Sequence, residues 1–399
     1  MNGVAIFHRD HGAFLAAVAA AWGAEEPVFL GNPHWGTAEL AEARRLIPAG
    51  TTVLGMELAP TGAAPADWPA GWRGRTMIPT GGTGGRVKFA VHDPASLAAA
   101  VRSLRDFLVT RGLAPTLHGA TLTPPWHVSG LMPFVRAALT GGRHVTLDGR
   151  FPPTGPLPKV ALPTDGTRLA SLVPAQLMRL LARPDGEAWL RRFKVVLLGG
   201  SAVPPECLRA IRERRLPVFL TYGMTETAAA CALCPPERLW KNLPPRGTPL
   251  PGVRFGLEGD LLTIATPALA RGLWPTEDFP AKGLRTQDRA ELAADGTVRI
   301  LGRADRMIVT GGEKVDPARV EAALGAVAMV QVFGVPDEQW GERVVALVLG
   351  EASLEPGLRQ AAARLEPAAR PKTYAFVPEF PTDARGKFDR AAARARFPA

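Results

Sequence analysis

The strongest constraint on how this chain folds is a glycine-rich segment at residues 77–93, MIPTGGTGGRVKFAVHD. Four glycines and two threonines lie between two apolar runs, and Lys88 follows closely. Glycines let backbone N–H groups approach an anion, threonine hydroxyls donate further hydrogen bonds, and lysine adds a positive charge. The segment predicts a loop that can wrap the phosphates of a nucleotide, although a flexible surface loop can have the same composition.

The spacing of this segment excludes the two commonest glycine-rich nucleotide motifs. The P-loop needs lysine directly after a glycine, whereas Lys88 follows Val87. The dinucleotide motif G-x-G-x-x-G needs a third glycine where Val87 stands after Gly82 and Gly84. Any nucleotide site built on this segment must therefore belong to another class.

Composition indicates a globular protein with more than one core. The chain has 399 residues, 46% of them hydrophobic, and its mean hydropathy is +0.04. No apolar run reaches the ~18 residues of a membrane span, and charged residues stand near the N-terminus where a signal peptide would be apolar. We expect a cytoplasmic location and no membrane contact.

The cysteines and the net charge point to no special partner. Cys207, Cys231 and Cys234 make an odd number, and the Cys231-x-x-Cys234 pair has no second pair at zinc-site spacing, so ordinary thiols are expected. A net charge of +10 is compatible with nucleic acid, with anionic small substrates or with an arginine-rich composition alone. The arginines are scattered rather than interleaved with aromatics, so we expect no nucleic-acid partner.

The hydrophobic pattern predicts an α/β protein. Residues 4–55 alternate helical and strand signals, residues 194–220 read as a βαβ unit, and residues 246–300 have the alternation and turns of antiparallel strands. We expect a large α/β domain at residues 1–304, with βαβ units and an antiparallel β subdomain, followed by a small mobile α+β domain at residues 305–399.

Ligands of open parallel sheets collect at the carboxyl ends of the strands. In this chain those ends are predicted at Gly199-Gly200-Ser201 and at residues 221–227. The second segment offers the aromatic ring of Tyr222, a threonine hydroxyl, and the carboxylate of Glu226, which suits Mg²⁺.

Three further segments carry residues suited to a nucleotide. Asp288 is expected to follow a strand and to accept hydrogen bonds from both hydroxyls of a ribose. Residues 302–312 supply a guanidinium and then glycines, and residues 381–390 place a lysine on a glycine-containing loop. Each segment alone is compatible with turn chemistry or a solvated charge, but together and in this order they indicate a nucleotide site.

These segments resemble the acyl- and aryl-CoA synthetase family of adenylate-forming enzymes. The matching motifs are TGGTGGRVK at residues 80–88, TYGMTE at 221–226, GRADRMIVTGGEKVDPARVE at 302–321 and PTDARGK at 381–387. The resemblance implies ATP and Mg²⁺ as cofactors and CoA as co-substrate. It also implies an acyl-AMP intermediate, from which the CoA thiol displaces AMP.

The resemblance implies a role for each matched residue. Asp305 would be the hinge of the small domain, Lys387 would neutralise charge during adenylation, and Glu226 would hold Mg²⁺. The matched positions for the phosphates are Thr80, Gly81, Gly82, Thr83, Gly84, Gly85, Lys88 and Thr225; those for the nucleoside are Tyr222, Asp288 and Arg303; those for pantetheine are Gly311 and Gly312.

Within the family, the short N-terminal region and residues 124–142 are most similar to compact o-succinylbenzoate–CoA ligases of menaquinone biosynthesis. This similarity implies that the acid pocket includes His127, Ser129 and Arg136, with Gly199, Gly200 and Ser201 nearby. The acid is a dianion, so its second carboxylate needs a cation, for which Arg136 is the candidate. The alternatives are a partly buried structural histidine at 127 and an arginine whose charged end reaches the surface at 136.

The sequence departs from the family at two motif positions. Val87 stands where the family usually has proline, and Gln287 stands where it often has glycine. Two other functions stay open: another acyl- or aryl-CoA ligase or carrier-loading adenylating enzyme, and a catalytically silent nucleotide-binding relative. The sequence also allows a homo-oligomer.

The role implied for Lys387 generates a prediction. Lys387→Ala should slow acid-dependent ATP–pyrophosphate exchange about a hundredfold, because a charge that stabilises the transferring phosphoryl group is lost. Thioester formation from supplied acyl-AMP should fall far less. Equal losses in the two half-reactions would contradict a lysine that acts only in adenylation.

Overall fold

The computed structural model describes residues 3–81, 87–275, 277–278, 283–382 and 388–397. These ranges form two seven-stranded sheets, a four-stranded sheet and a five-stranded sheet, with helices packed between and around them. The α/β class expected from the sequence is confirmed. None of the helices within these ranges is long and apolar enough to cross a membrane.

The first seven-stranded sheet carries the glycine-rich segment on two antiparallel strands, whose register places Thr80 opposite Lys88. The helix after these strands begins at a capping box, in which Asp93 accepts the N–H of Ser96, with Pro94 in the first turn. The elements are β1 (Val4–Ile6), α1 (His11–Gly23), β2 (Val28–Leu30), α2 (Thr37–Leu46), β3 (Thr52–Leu54), β4 (Thr76–Gly81), β5 (Val87–His92) and α3 (Pro94–Val109).

The second seven-stranded sheet contains the predicted βαβ unit. Its elements are β6 (Leu117–Thr121), α4 (Val128–Thr140), β7 (His144–Thr146), β8 (Thr167–Leu172), α5 (Pro174–Leu181), α6 (Gly186–Leu190), β9 (Val195–Leu198), α7 (Pro205–Glu213), β10 (Val218–Met224), β11 (Ala229–Cys234), α8 (Pro236–Trp240) and β12 (Thr248–Pro249). Strands β8, β9 and β10 are parallel neighbours, so their carboxyl ends lie along one edge of the sheet.

The antiparallel region expected at residues 246–300 is confirmed. Its strands are β13 (Arg254–Glu258), β14 (Leu261–Ala265), β15 (Gly272–Trp274), β16 (Glu277–Asp278), β17 (Leu284–Leu292) and β18 (Val298–Arg303). Strands β13, β14, β17 and β18 form the four-stranded sheet, whereas β15 and β16 extend the first sheet beside β5. The expectation that Asp288 follows a strand is wrong, because pairing of β17 with β18 continues past it to Leu292.

The C-terminal part of the chain has its own sheet and core. Its elements are β19 (Ile308–Thr310), β20 (Glu313–Val315), α9 (Pro317–Leu324), β21 (Val330–Asp337), β22 (Gly341–Leu349), α10 (Glu355–Ala362), β23 (Thr373–Val377) and α11 (Arg390–Arg394). Asp316 caps α9 by accepting the N–H of Ala318, and Pro317 occupies the first turn. The domain boundary near Asp305 stays a prediction.

Candidate functional site

A hydrogen bond joins the glycine-rich segment to the carboxyl end of β10. The Thr80 hydroxyl, near the end of β4, donates to Glu226 Oε1 over 3.0 Å. The Glu226 carbonyl in turn accepts the N–H of Ala270 over 2.8 Å. The two motifs predicted to serve the phosphates and Mg²⁺ therefore meet, and the Glu226 carboxylate keeps acceptor capacity for a cation.

A second cluster of polar side chains surrounds Asp288, which is only 7% exposed. The Tyr222 hydroxyl donates to Asp288 Oδ2 over 2.6 Å, and Arg303 Nη1 lies 3.5 Å from Oδ1. Burial and the Asp288 charge raise the pKa of Tyr222, so its hydroxyl stays protonated and remains a donor. Because a carboxylate can accept about four hydrogen bonds, both oxygens can still accept from a ligand's hydroxyls.

Arg303 connects this cluster to Asp305. It donates from Nε to Asp305 Oδ1 over 2.8 Å and from Nη2 to Oδ2 over 2.6 Å. These hydrogen bonds lower the pKa of Asp305 and raise the pKa of Arg303. The predicted nucleoside residue and the predicted hinge residue thus form one bidentate pair, although the hinge role itself stays a prediction.

The ends of β9 and β10 lie against each other, as the sheet topology predicts. A Cβ on Gly199 would lie 2.0 Å from Thr221 Oγ1, so any other residue at this position would displace the Thr221 side chain. Gly200 has a φ of +85°, which glycine adopts without strain, and Ser201 is exposed. These three residues form an open turn beside the 221–226 motif.

The residues proposed for the acid pocket lie at and within α4. His127 is the N-cap and Ser129 is in the first turn, and both are partly buried. Arg136 is only 5% exposed, so the alternative in which its charged end reaches the surface is wrong. Burial lowers the pKa of Arg136 to about 10, which leaves the guanidinium charged at neutral pH.

Within the described ranges, the guanidinium of Arg136 makes neither an ion pair nor a hydrogen bond, and its Nε is buried. Its charge therefore has no counter-ion there. Two other buried polar atoms of the preceding segment, Thr123 Oγ1 and Trp126 Nε1, also have no hydrogen-bond partner there. Buried polar atoms are almost always hydrogen-bonded in folded proteins. This segment therefore has polar capacity left for a ligand or for water.

Some predicted residues cannot be placed. Gly82, Thr83, Gly84, Gly85 and Lys387 lie outside the described residues. Of the remaining predicted positions, Gly81 ends β4 and Lys88 lies in β5. Gly311 and Gly312 form the turn between β19 and β20, where both adopt positive φ angles of +58° and +84°.

Sequence reasoning missed His92, the last residue of β5. It is 0% exposed, and its Nε2 lies 2.8 Å from the main-chain oxygen of Thr225. Burial lowers the pKa of His92 to about 4. The only sequence signal that could have indicated it was a histidine at the end of the apolar run Phe89-Ala90-Val91, within the glycine-rich segment.

In the part of the chain that the structure describes, no three His, Cys, Asp or Glu side chains lie close enough together to hold a metal ion. The cysteines are buried and form no disulfide with one another. Burial raises the pKa of Cys207 and Cys231 to about 12, which makes both thiols poor nucleophiles.

Comparisons with known proteins find a matching family and similar proteins. Residues 38–274 match the AMP-binding enzyme family, and residues 320–387 match the AMP-binding enzyme C-terminal domain. A probable 2-succinylbenzoate–CoA ligase of Mycobacterium tuberculosis is 35% identical over 80% of this chain and 84% of its own length. An indoleacetate–CoA ligase of Aromatoleum aromaticum is 31% identical over 77% of this chain and 64% of its own.

A solved structure has the same fold. The o-succinylbenzoate CoA synthetase of Bacillus subtilis, in complex with its acyl-adenylate intermediate, superposes with a TM-score of 0.77. The match covers 98% of this chain and 88% of that chain at 22% identity. At this identity the likeness establishes the architecture.

Two histidines, the buried His92 and the partly buried His144, predict a pH-dependent stability. The pKa values of His92 and His144 are lowered to about 4, chiefly by burial, whereas an unfolded chain titrates near ~6.5. Between these values the unfolded chain binds more protons, so the free energy of unfolding should fall as pH drops from 6.5 towards 4. The slope should reach up to about 1.4 kcal/mol per pH unit for each histidine.

Urea unfolding at several pH values measures this slope. The double variant His92→Gln/His144→Gln should have a shallower slope than the wild type over the same pH range. An unchanged slope in the double variant would show that other groups control the acid sensitivity.

Proposed function

The chain belongs to the AMP-binding enzyme family, and from this premise we propose that it is an ATP-dependent acid–CoA ligase whose acid is o-succinylbenzoate. The observation that carries the choice of acid is the buried guanidinium of Arg136, which has no counter-ion among the described residues. A dianionic acid has one carboxylate to activate and a second with which to neutralise this charge.

In the first half-reaction, an oxygen of the acid carboxylate attacks the α-phosphorus of ATP. The bond from that phosphorus to the bridging oxygen breaks, and pyrophosphate leaves with the electron pair. Catalysis of such a displacement rests mostly on positioning and on stabilising charge. We assign the phosphates to Thr80, the adjoining glycines, Lys88 and Thr225, since Thr80 and Thr225 are held close together through Glu226.

The donor set at Glu226 fits Mg²⁺. This cation prefers oxygen ligands and usually binds proteins through one or two carboxylates, with substrate phosphates and water completing its shell. Glu226 offers such a carboxylate beside the Thr80 hydroxyl. When bound there, Mg²⁺ would offset negative charge on the phosphates.

The nucleoside is assigned to the Asp288 cluster. Asp288 is held by Tyr222 and lies near Arg303, so its two oxygens are fixed in direction before ligand binds. A fixed carboxylate can accept hydrogen bonds from two neighbouring ribose hydroxyls without first losing rotational freedom. The partly buried ring of Tyr222 offers its face to the adenine.

In the second half-reaction, the CoA thiol sulfur attacks the acyl carbon of the acyl-AMP. A new carbon–sulfur bond forms and AMP leaves. We assign the pantetheine arm to the Gly311–Gly312 turn, because among the described residues no atom beyond its chain neighbours lies within 4 Å of the position that a Cβ on Gly312 would occupy. Asp305 would act as the hinge that brings this turn to the site, and Lys387 would serve only adenylation.

Arg136 separates this proposal from its nearest rival. An unpaired buried charge destabilises a fold by several kcal/mol, so a buried arginine is normally paired. Arg183, which is 8% exposed, shows the normal case because Nε donates to Asp185 Oδ1 over 2.9 Å. A monocarboxylic acid such as indoleacetate would leave Arg136 without a partner once its only carboxylate had been adenylated.

Product analysis tests the proposed function. Purified protein with ATP, Mg²⁺ and CoA should form AMP and thioester with o-succinylbenzoate and not with benzoate, indoleacetate or a medium-chain fatty acid. Turnover of another acid in the panel would replace the proposed substrate. Binding of ATP without AMP formation from any acid would favour a silent nucleotide-binding protein.

Substitution of Arg136 tests the choice of acid directly. Arg136→Met should raise the KM for o-succinylbenzoate about tenfold or more, because the second carboxylate loses its cation, while the KM for ATP changes less than about twofold. The KM of Arg136→Lys for o-succinylbenzoate should lie between those of the wild type and Arg136→Met. As a matched control, Arg183→Met should lower thermal stability without changing the KM for the acid. An unchanged acid KM in Arg136→Met would remove Arg136 from the pocket.

A further inference from the structure

His92 contacts the main chain of the 221–226 motif at Thr225, next to the residue whose carboxylate Thr80 contacts. The Thr225 oxygen is a carbonyl and can only accept, so the proton of the His92 ring must be on Nε2, which donates over 2.8 Å. The neutral ring then has Nδ1 as an acceptor, which faces the Ser96 hydroxyl at 3.1 Å. The surroundings of His92 therefore select one tautomer and one ring orientation.

A second set of contacts fixes Ser96 and thereby His92. The Ser96 N–H donates to Asp93 Oδ1 over 2.8 Å in the capping box of α3. Arg271 donates from Nε to Asp93 Oδ2 over 2.6 Å and from Nη2 to Oδ1 over 3.0 Å. The Arg271 N–H also donates to the Val91 carbonyl over 2.7 Å, directly beside His92.

The same segment holds the next carbonyl of the motif. The N–H of Ala270, which precedes Arg271, donates to the Glu226 carbonyl over 2.8 Å. Two consecutive carbonyls, those of Thr225 and Glu226, are thus held by two segments that are themselves tied together through Asp93 and Arg271. These contacts determine where the Thr225 hydroxyl and the Glu226 carboxylate lie.

The turn after Glu226 depends on this support. Ala228 has a φ of +49° and Ala229 a φ of +79°, both in the left-handed region that alanine rarely adopts. Thr227 is 0% exposed, and its hydroxyl lies 2.8 Å from the Ala229 oxygen. A strained turn persists only where surrounding contacts over-determine it, and the His92 contact is one of them.

We propose that His92 is a positioning residue for the nucleotide half of the reaction, acting through the Thr225 carbonyl on the Thr225 hydroxyl and the Glu226 carboxylate. The inference rests on the proposed function, which assigns those two groups to the phosphates and Mg²⁺. His92 itself contacts neither substrate nor metal. Substitution of His92 should therefore weaken the binding of MgATP and leave the binding of acid and CoA unchanged.

Two substitutions separate positioning from simple support of the fold. The amide nitrogen of glutamine occupies about the position of the imidazole Nε2, so His92→Gln retains a donor to the Thr225 carbonyl. Asparagine is one methylene shorter and cannot reach it. His144→Gln is the control, because His144 is a partly buried histidine in the other seven-stranded sheet, with its Nε2 2.8 Å from the Thr121 hydroxyl.

The test measures MgATP affinity by calorimetry without acid, and then kcat and KM for MgATP, Mg²⁺ and acid in steady state. His92→Asn should weaken MgATP binding and raise the half-saturating Mg²⁺ concentration by about tenfold or more, with the acid KM changed less than about twofold. His92→Gln should recover to within about threefold of wild type, and His144→Gln should match wild type.

Two outcomes would overturn the proposal. If His92→Asn lowers thermal stability and kcat but leaves MgATP affinity unchanged, His92 only supports the fold. If His92→Gln is as impaired as His92→Asn, the hydrogen bond to Thr225 is not what matters. Calorimetry with MgATP needs no turnover, so it decides the role of His92 even if the wild type activates none of the acids tested.

Discussion

The hydrogen bond between Thr80 and Glu226 is the contact on which the arrangement of the site depends. Its two residues are 146 positions apart: Thr80 lies in β4 of the first seven-stranded sheet, and Glu226 lies in the turn that follows β10 of the second. The end of β4 and the end of β10 can place a phosphate-binding segment and a cation-binding carboxylate together only if the two sheets dock at this point. The pairing of β15 with β5 strengthens the docking, because it brings Ala270 to the Glu226 carbonyl.

Charge in the site is distributed in two different ways. The carboxylates of Glu226 and Asp288 are held by hydroxyl donors, Thr80 and Tyr222, which fix their direction without adding a charge. Such groups are oriented before a ligand arrives, so less ordering is required on binding. Arg136 is the opposite case, since it is a buried cation with no counter-ion in the described part of the chain and becomes neutralised only when a ligand supplies one.

The sequence was sufficient to predict the elements in which apolar residues recur at the spacing of a strand or a helix. The βαβ unit at residues 194–220 and the antiparallel strands at residues 246–300 are confirmed. The prediction that Asp288 follows a strand was wrong, because the end of a strand depends on its pairing with a distant strand, here β18. The joining of β15 and β16 to the first sheet was missed for the same reason.

His92 shows a different limit of sequence reasoning. Its partner is a main-chain carbonyl 133 residues away, and a carbonyl is present at every position, so no residue type marks the contact. Arg136 shows a third limit: its periodicity placed it on a helix flank, but whether that flank is buried depends on the neighbours of α4 in the folded protein.

The central claim is that these groups support adenylation of an acid, and isotope transfer tests it most directly. In a single turnover with ¹⁸O-carboxylate-labelled o-succinylbenzoate, ATP, Mg²⁺ and CoA, the oxygen that attacks the α-phosphorus stays on phosphorus when the thiol displaces AMP. We expect AMP that carries one ¹⁸O from the acid. Thioester formed with unlabelled AMP, or with ADP and labelled phosphate, would contradict it.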